Sequence, residues 1–354
     1  MGMSVMNDQA IYRALPEVLL PWYRQNKRDL PWRQDRQPYH VWVSEIMLQQ
    51  TRVEAVIGYY ERFLQALPDI RSLAEADPEL LHKLWEGLGY YSRVRNLQKA
   101  AQQVMEEHKG VFPDTHAAIR KLAGIGPYTA GAIASICFEL PKAAVDGNVL
   151  RILSRMLADE RPIDKESTKA AMAAALEEVY PRGSCGDFTQ ALMELGATVC
   201  TPKSPKCQIC PAHGFCRAFA QGRMTELPVK SPKKEKRIEQ KTVLILDCGG
   251  EIALCKRGDT GLLAGLWELP NLPGQLDAER AMAAAYELGA APDRPDWMVE
   301  RSHIFTHIRW EMRGWRILCT NKAPGLTWAS PAELRDRYAL PTAFRQFFEI
   351  PDEE

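Results

Sequence analysis

Four cysteines in one short segment have the clearest potential for chemistry. The segment runs Cys200-x6-Cys207-x2-Cys210-x5-Cys216, and three prolines stiffen the loop between the thiols. Four closely spaced thiolates suit either a tetrahedral zinc ion or a cubane iron-sulfur cluster. The spacing predicts a metal site and leaves the two metals open. Nine cysteines would be an unusual disulfide framework in so long a chain, so we expect a reducing compartment.

Two carboxyls lie in surroundings that suit acid and charge chemistry. Glu45 stands in VWVSEIMLQQ, on a helical stripe that is largely apolar. Poor solvation raises the pKa of a carboxyl and lets it donate a proton near neutral pH, although most helical glutamates are merely solvated. Asp146 stands in AVDGNVLRIL, just before a helix, where nearby N–H donors favour the charged form. The plainer interpretation of Asp146 is a helix N-cap.

A glycine-containing turn separates two helical segments. The sequence LAGIGPYTAGA carries Gly124 and Gly126 immediately before a helix. Glycines there let backbone N–H groups at the helix start face a phosphate, and small residues let the two helices approach closely. A plain tight turn explains the same pair of glycines.

The elements that position these residues are mainly helical as far as about residue 180. Apolar residues recur at three- and four-residue spacings, which predicts helices. The predicted helical segments are Tyr39–Leu67, Pro78–Glu86, Arg93–His108, His116–Leu122, Thr129–Phe138, Asn148–Leu157 and Lys165–Val179.

The character of the chain changes after the cysteines. Residues 230–241 contain six basic and two acidic residues, which indicates an interdomain linker. An α/β domain is predicted beyond it. Its predicted strands are Thr242–Asp247, Glu251–Lys256, His303–Arg313 and Trp315–Cys319, with a hairpin turn at Cys248-Gly249-Gly250 and helices near Asp277–Leu288 and Pro331–Tyr338.

Composition limits the class of protein. The 354 residues are 46% hydrophobic and 25% charged, as in a large globular domain or two ordinary ones. Basic and acidic residues balance at 45 each, so total charge gives no support to nucleic-acid binding. Neither a membrane span nor a secretory signal is visible, so we expect an intracellular, cytoplasmic protein.

Five ordered motifs resemble one family. The pattern L-x-G-[IV]-G-x-x-T-A resembles the helix-hairpin-helix of the DNA glycosylase superfamily that also contains endonuclease III. The segments LPWRxDRxPYxVWVSEIMLQQT, GLGYYSRVRNL and VDGN, with the hairpin and the cysteine spacing, look like the adenine DNA glycosylase (MutY-type) family over nearly the first 220 residues. The segment GLWELPNLPG resembles the family's C-terminal Nudix-like domain.

The resemblance implies a multidomain fold in four parts. It comprises an all-α helix-hairpin-helix glycosylase region with an iron-sulfur cluster loop, and a C-terminal α/β Nudix-like domain. The implied boundaries are 1–29 with 146–220 for the cluster domain, 30–145 for a six-helix barrel domain with the hairpin, 221–240 for the linker and 241–354 for the Nudix-like domain.

The resemblance also assigns the catalytic roles. The counterpart of Glu45 protonates adenine at N7, and that of Asp146, beside Asn148, stabilises the positively charged sugar. Tyr128 stands where bifunctional members carry the lysine that forms a Schiff base. We therefore expect hydrolysis by water and no strand cleavage by elimination.

Further residues match the family's contacts to DNA. Gln50 and Tyr90 resemble the wedge at the base pair, and Thr51 and Leu88 resemble contacts to the opposite base, although Leu88 and Tyr90 taken singly would be core residues. Positions lining the adenine pocket are matched by Trp32, Arg33 and Gln190. The hairpin glycines Gly124 and Gly126 would face the DNA backbone.

In the C-terminal domain, the resemblance places recognition of 8-oxoguanine at Phe305, Thr306 and His307. Many relatives carry Ser at position 306; the hydroxyl is kept, but the methyl group changes the contact. Taken as isolated residues, the three are ordinary strand residues. The segment AERAMAAAYELGA lacks the paired glutamates that hold metal in Nudix hydrolases, so we expect no pyrophosphohydrolase activity.

The function implied is a monofunctional, probably monomeric in form, adenine glycosylase acting on duplex DNA with adenine opposite 8-oxoguanine or guanine, in base excision repair. The resemblance favours a [4Fe-4S] cluster at the four cysteines, and repair or replication proteins are candidate partners of the linker. Three alternatives stay open: an endonuclease III-like lyase, a non-catalytic or redox-sensing iron-sulfur DNA-binding protein, and a nucleotide pyrophosphohydrolase.

Overall fold

The computed structural model describes residues 6–232 and 235–348. It divides the chain into two compact units. The first comprises the residues up to Glu75 together with Asn96–Pro232, and the second comprises Ala76–Arg95 together with the residues from Lys233 onwards. The four-part boundaries given above stay a prediction.

The first unit is helical, as the periodicity predicts. The α-helices as far as the cysteine loop, including one in the second unit and one that crosses the division, are α1 (Asp8–Asn26), α2 (Pro38–Met47), α3 (Val53–Ala66), α4 (Ile70–Glu75), α5 (Pro78–Leu84), α6 (Ser92–His108), α7 (His116–Ile119), α8 (Pro127–Phe138), α9 (Gly147–Leu157), α10 (Glu166–Glu177), α11 (Cys185–Thr198) and α12 (Arg217–Ala220). Short 3-10 helices span Pro31–Arg33, Cys207–Ile209 and His213–Phe215. None of the described helices is long and apolar enough to cross a membrane.

The prediction of one helical segment over Tyr39–Leu67 is wrong. Helix α2 ends at Met47 and α3 begins at Val53, with a turn between them. Gln50 in this turn has φ 61°, a left-handed conformation that a right-handed helix cannot continue through. The apolar pattern runs across the break because both helices bury a face, so periodicity alone does not reveal the turn.

The core of the first unit lies among α1, α9, α10 and α11. Leu15 and Leu19 of α1 pack with Ile152 of α9 and Leu192 of α11, and all four are fully buried. Burying a leucine side chain stabilises the fold by about 2 kcal/mol. This core fixes the beginnings of α9 and α11, which carry candidate site residues.

Two glycines permit close approaches beside the site. A Cβ on Gly131 of α8 would lie 2.1 Å from the carbonyl oxygen of Ala143, and one on Gly196 of α11 would lie 2.6 Å from Cβ of Asn148. Real Cβ contacts are never so short, so both positions require glycine. The first contact draws α8 against the segment that leads to Asp146, and the second draws α11 against the start of α9.

The second unit is built on a mixed sheet. Its described strands are β1 (Arg237–Cys248), β2 (Glu251–Lys256), β3 (Trp267–Glu268), β4 (Asn271–Pro273), β5 (Ala291–Ile304), β6 (Ile308–Asn321) and β7 (Thr327–Ala329). Their order is β3-β2-β1-β6-β5, with β4 also paired to β1 and β7 to β2. Strands β1 and β6 pair in parallel, and the other pairs are antiparallel.

Two apolar clusters involve the strand residues of the second unit. One includes Val243, Trp310 and Phe344, and the other includes Leu244, Ala281 and Ile317. Val243 and Leu244 are successive residues of β1 and point to opposite faces of the sheet. The helices of this region are α13 (Ala278–Glu287), α14 (Pro331–Asp336) and α15 (Thr342–Arg345).

The strand predictions are confirmed in part. The hairpin turn lies at Gly249 and Gly250, both with positive φ, between paired β1 and β2. The single strand predicted over His303–Arg313 is wrong, because β5 ends at Ile304 and β6 begins at Ile308. Most of β5 escaped prediction because Pro292, Pro295 and charged residues interrupt its pattern, and its register shifts at these points. The basic segment predicted as a linker runs into β1, which begins at Arg237.

Candidate active site

Glu45 is a buried acid in the first unit. It lies on α2 and is only 5% exposed. Burial raises its pKa to about 7, with opposing contributions from a Tyr128 hydrogen bond and from Arg33, and a further increase from Asp146. The expectation from the apolar stripe that the pKa is raised is confirmed. A carboxyl of this kind holds a proton that it can deliver near neutral pH.

Tyr128 contacts Glu45 directly. Its hydroxyl donates to Glu45 Oε2 at 2.6 Å and lies 4.0 Å from the sulfur of Met193. Burial and the neighbouring carboxyls raise the pKa of Tyr128 well above its ordinary value. Tyr128 therefore keeps its own proton and orients the acid.

Asp146 is the N-cap of α9. Its Oδ1 accepts from the backbone N–H groups of Asn148 at 2.9 Å and Val149 at 2.8 Å, while Oδ2 accepts from Asn148 Nδ2 at 2.7 Å. The N-cap interpretation is confirmed. The expectation that the charged form is favoured overall needs correction: burial raises the pKa of Asp146, and the hydrogen bonds and Arg151 only oppose that increase. The sequence reveals the donors but not the depth of burial.

Both carboxyls line one cavity of about 160 Å³. Of the positions predicted to act with them, the cavity also includes Tyr128, Asn148, Trp32, Arg33, Thr51 and Gln190. The fold thus brings together residues from four helices and from the 3-10 helix Pro31–Arg33. Gln50 is not among the lining residues; it is exposed in the turn after α2.

Two networks around this cavity have no counterpart in the sequence prediction. In one, Arg151 donates from Nη2 to Asn148 Oδ1 at 2.9 Å and from Nε to the carbonyl of Cys200 at 2.8 Å. In the other, the buried Glu194 binds Arg28 and Arg33. A charged residue within the apolar stretch ALMEL was the available signal for Glu194. Its partners lie more than 160 positions away and give no local signal.

The hairpin has the geometry predicted for it. Gly124 has φ 74°, and a Cβ there would lie 2.6 Å from Cβ of Asn96. Gly126 is the N-cap of α8, which begins with Pro127. The first N–H groups of this helix have no acceptors within it, as an anion site at a helix start requires.

The four predicted metal ligands surround one small cavity. Cys200, Cys207, Cys210 and Cys216 all line a space of about 20 Å³. Arg155, itself buried, donates from Nη1 to the sulfur of Cys200 at 3.3 Å and to the carbonyls of Thr201 and Pro202. Among the described residues, no three His, Cys, Asp or Glu side chains are already arranged to hold a metal ion. The donor set of four thiols nevertheless fits a thiolate-bound metal.

The remaining predicted contacts lie in the second unit. A cavity of about 420 Å³ there is lined by Tyr90, Phe305, Thr306 and His307, with Thr306 Oγ1 3.3 Å from the Tyr90 hydroxyl. Tyr90 is 49% exposed and has φ 47°. Leu88 is 6% exposed and does not line this cavity, so here it has the buried environment of a core residue.

Comparison with known proteins matches both parts of the chain. Residues 43–181 match the family model "HhH-GPD superfamily base excision DNA repair protein", and residues 241–349 match the NUDIX domain. A thermostable thymine-DNA glycosylase is similar in fold, with a TM-score of 0.53 and 26% identity over 60% of this chain and 97% of its own. Endonuclease III in a complex with DNA gives a TM-score of 0.53 at 21% identity over 61% of this chain and 98% of its own, which bears on the fold alone. The class is therefore a helix-hairpin-helix DNA glycosylase with a NUDIX domain.

Curated relatives narrow the class to one family. Adenine DNA glycosylase of Rattus norvegicus is 36% identical over 99% of this chain and 80% of its own length. The Homo sapiens enzyme is 34% identical over 98% of this chain and 75% of its length. The Arabidopsis thaliana enzyme is 39% identical over 82% of this chain and 55% of its length. The chain belongs to the adenine DNA glycosylase family.

Proposed function

We propose that this enzyme releases adenine opposite 8-oxoguanine or guanine in duplex DNA by acid-assisted hydrolysis, with Glu45 as the acid and Asp146 as the electrostatic partner. The observation that carries the proposal is that both carboxyls line one cavity while Glu45 has a pKa of about 7. A protonated acid and a carboxylate are the two groups that this bond cleavage needs.

In the proposed reaction, Glu45 transfers its proton to N7 of adenine. The C1′–N9 bond then breaks, and its electron pair leaves with the base. Asp146, held by Asn148 and the start of α9, stabilises the positive charge that forms on the sugar. A water molecule adds to C1′ and loses a proton, which completes the hydrolysis.

Tyr128 supports hydrolysis over elimination. A phenol whose pKa is raised well above its ordinary value has no amine chemistry and cannot form an imine with the sugar. Borohydride therefore traps no covalent complex with the wild-type protein. A trapped complex would favour the lyase alternative.

The lesion is recognised, in this proposal, at the cavity of the second unit. Phe305 supplies an aromatic face, while Thr306 and His307 supply polar groups beside Tyr90. Gln50 and Tyr90 fill the space left by the extruded base, and Thr51 and Leu88 contact the opposite base. The hairpin at Gly124 and Gly126 binds a backbone phosphate through its N–H groups.

The four cysteines would hold a [4Fe-4S] cluster. Such a cluster would fix the loop that carries Lys203, Lys206 and Arg217, and the hydrolysis needs no redox step. Burial raises the pKa of Cys210 to about 12 without metal, and metal binding would displace this proton. A coloured protein with four irons per chain is expected; a colourless protein with stoichiometric zinc would reject the cluster.

One assay tests the reaction as a whole. Duplexes with adenine opposite 8-oxoguanine, guanine or thymine are incubated with the enzyme, and strand breaks are measured with and without hot alkali. We expect adenine release from the first two duplexes and breaks only after alkali. Breaks without alkali, or no adenine release, would contradict the proposal. Duplex binding without base release would favour the non-catalytic alternative, and pyrophosphate release from 8-oxo-dGTP would revive the pyrophosphohydrolase.

A further inference from the structure

A third carboxyl, Glu194, lies in the wall of the cavity that holds Glu45 and Asp146, and the reaction above gives it no role. It lies on α11, one helical turn after Gln190, and its side chain is completely buried. A buried charge without partners would be very costly, so its partners decide what it does.

Both carboxylate oxygens of Glu194 accept hydrogen bonds from arginines. Oε1 accepts from the backbone N–H of Arg28 at 3.2 Å and from its Nε at 2.7 Å. Oε2 accepts from Arg28 Nη2 at 3.1 Å and from Arg33 Nη2 at 2.8 Å. Burial alone would raise the pKa of Glu194, but the two arginines outweigh it and the pKa is lowered. Glu194 is therefore an anion bound by two cations.

Arg33 is held in place from several sides. Besides its bond to Glu194, its Nη1 donates to the carbonyl of Arg28 at 3.1 Å, and its guanidinium lies 5.7 Å from the ring centre of Tyr23. Its side chain is only 12% exposed, so water does little to screen its charge. The same Arg33 lines the cavity next to Glu45.

The charge on Arg33 matters because few groups act on Glu45. The titratable and charged groups that face Glu45 are Tyr128 and Cys137 on α8, Asp146 before α9, and Arg33 in the 3-10 helix that precedes α2. Arg33 is the cation in this set and favours the ionised form of Glu45. A free guanidinium here would work against the acid.

We propose that Glu194 is a positioning residue: it binds Arg28 and Arg33 as an ion-paired group, so that Arg33 lies against the substrate cavity without an uncompensated positive charge beside Glu45. The inference rests on the proposed role of Glu45 as proton donor. It predicts that the pH range in which the enzyme works depends on Glu194, a residue that does not itself transfer a proton.

Single-turnover adenine release by Glu194→Gln, measured from pH 5 to pH 9, tests the inference. With two unpaired guanidinium groups, Glu45 loses its proton more readily, and the midpoint of the fall in rate moves down by about one pH unit. The ratio of wild-type to variant rate is then about tenfold greater at pH 8 than at pH 5.5. Glu194→Asp keeps the charge, so its midpoint stays at the wild-type pH even where the shorter side chain lowers the rate.

Arg33→Gln provides the opposite imbalance. It leaves Glu194 with less positive charge to offset, so the midpoint moves up. Combining Arg33→Gln with Glu194→Gln restores part of the balance and returns the midpoint towards the wild type. The position of the midpoint is the measurement, because Arg33 also lines the substrate cavity and its loss lowers the rate at every pH.

Two results would overturn the inference. One is a Glu194→Gln rate lowered by the same factor at every pH, which marks a purely structural role. The other, decisive if Glu194→Gln fails to fold as judged by circular dichroism, is an unchanged midpoint in Arg33→Gln. A wild-type rate that does not fall with rising pH would contradict the acid role of Glu45 itself, which distinguishes the failure of the proposed function from the failure of this inference.

Discussion

The two large cavities that carry the candidate site residues are lined by different chemistry. The cavity of the first unit is small and contains the carboxyls Glu45, Asp146 and Glu194 with Arg28 and Arg33. The cavity of the second unit is larger and is lined by aromatic, hydroxyl and aliphatic groups; of its described lining residues none is acidic. Buried ionisable groups cost stability and make proton transfer feasible, whereas neutral groups discriminate between surfaces at little cost. The difference supports catalysis in the first unit and recognition in the second.

Replacing the acid should have the largest effect on this comparison. Glu45→Gln removes the proton but keeps the shape, so adenine release falls by about 10³-fold while duplex binding persists. Single-turnover kinetics and binding to a duplex with a non-cleavable adenosine analogue measure the two properties. Substantial turnover by this variant would show that chemistry does not depend on the first cavity.

The same substitution should stabilise the protein at high pH. Glu45 has a native pKa of about 7 against 4.5 unfolded, so its ionisation costs stability as pH rises above the unfolded value. At pH 8 the unfolding free energy of Glu45→Gln should exceed that of the wild type by about 3 kcal/mol, and at pH 5 the excess should be small. Urea unfolding at both pH values measures it. An excess that does not depend on pH would show that burial of the charge is not its cause.

Support for Asp146 should have an intermediate effect. Asn148→Ala removes the bond from Nδ2 to Asp146 Oδ2 and also the acceptor of Arg151. A hydrogen bond to a charged group contributes about 2 kcal/mol, which corresponds to a rate about 30-fold lower. Gly147→Ala is the matched control, since a Cβ there meets nothing within 4 Å. Equal losses in both variants would point to disruption of the helix start instead.

The smallest effect is expected in the second cavity. Thr306→Val removes a hydroxyl that lies 3.3 Å from the Tyr90 hydroxyl. One neutral hydrogen bond contributes about 1 kcal/mol, so the preference for adenine opposite 8-oxoguanine over adenine opposite guanine should fall about fivefold. Thr306→Ser should keep the preference. A loss of adenine release from both duplexes to the same extent would break the division between the two cavities.

Local sequence predicted most helices because each buries one face with the 3.6-residue period. It failed at the turn around Gln50, where two buried helices adjoin without a change of pattern, and along β5, where prolines and charged residues hide the alternation. The catalytic candidates were found because Glu45 lies on an apolar stripe and Asp146 precedes a helix. Glu194 was missed because nothing near it in sequence distinguishes an ion-paired glutamate from a solvated one.

The sequence by itself determined the residue types and their local settings: the apolar neighbours of Glu45, the helix start at Asp146, the glycines of the hairpin and the four clustered thiols. Only the tertiary structure decided that the Tyr128 hydroxyl lies 2.6 Å from Glu45 across 83 positions of the chain, that two arginines bind Glu194, and that burial raises the pKa of Asp146. The physical reason is that local geometry depends on adjacent residues. Desolvation and charge balance depend on groups that only folding brings together.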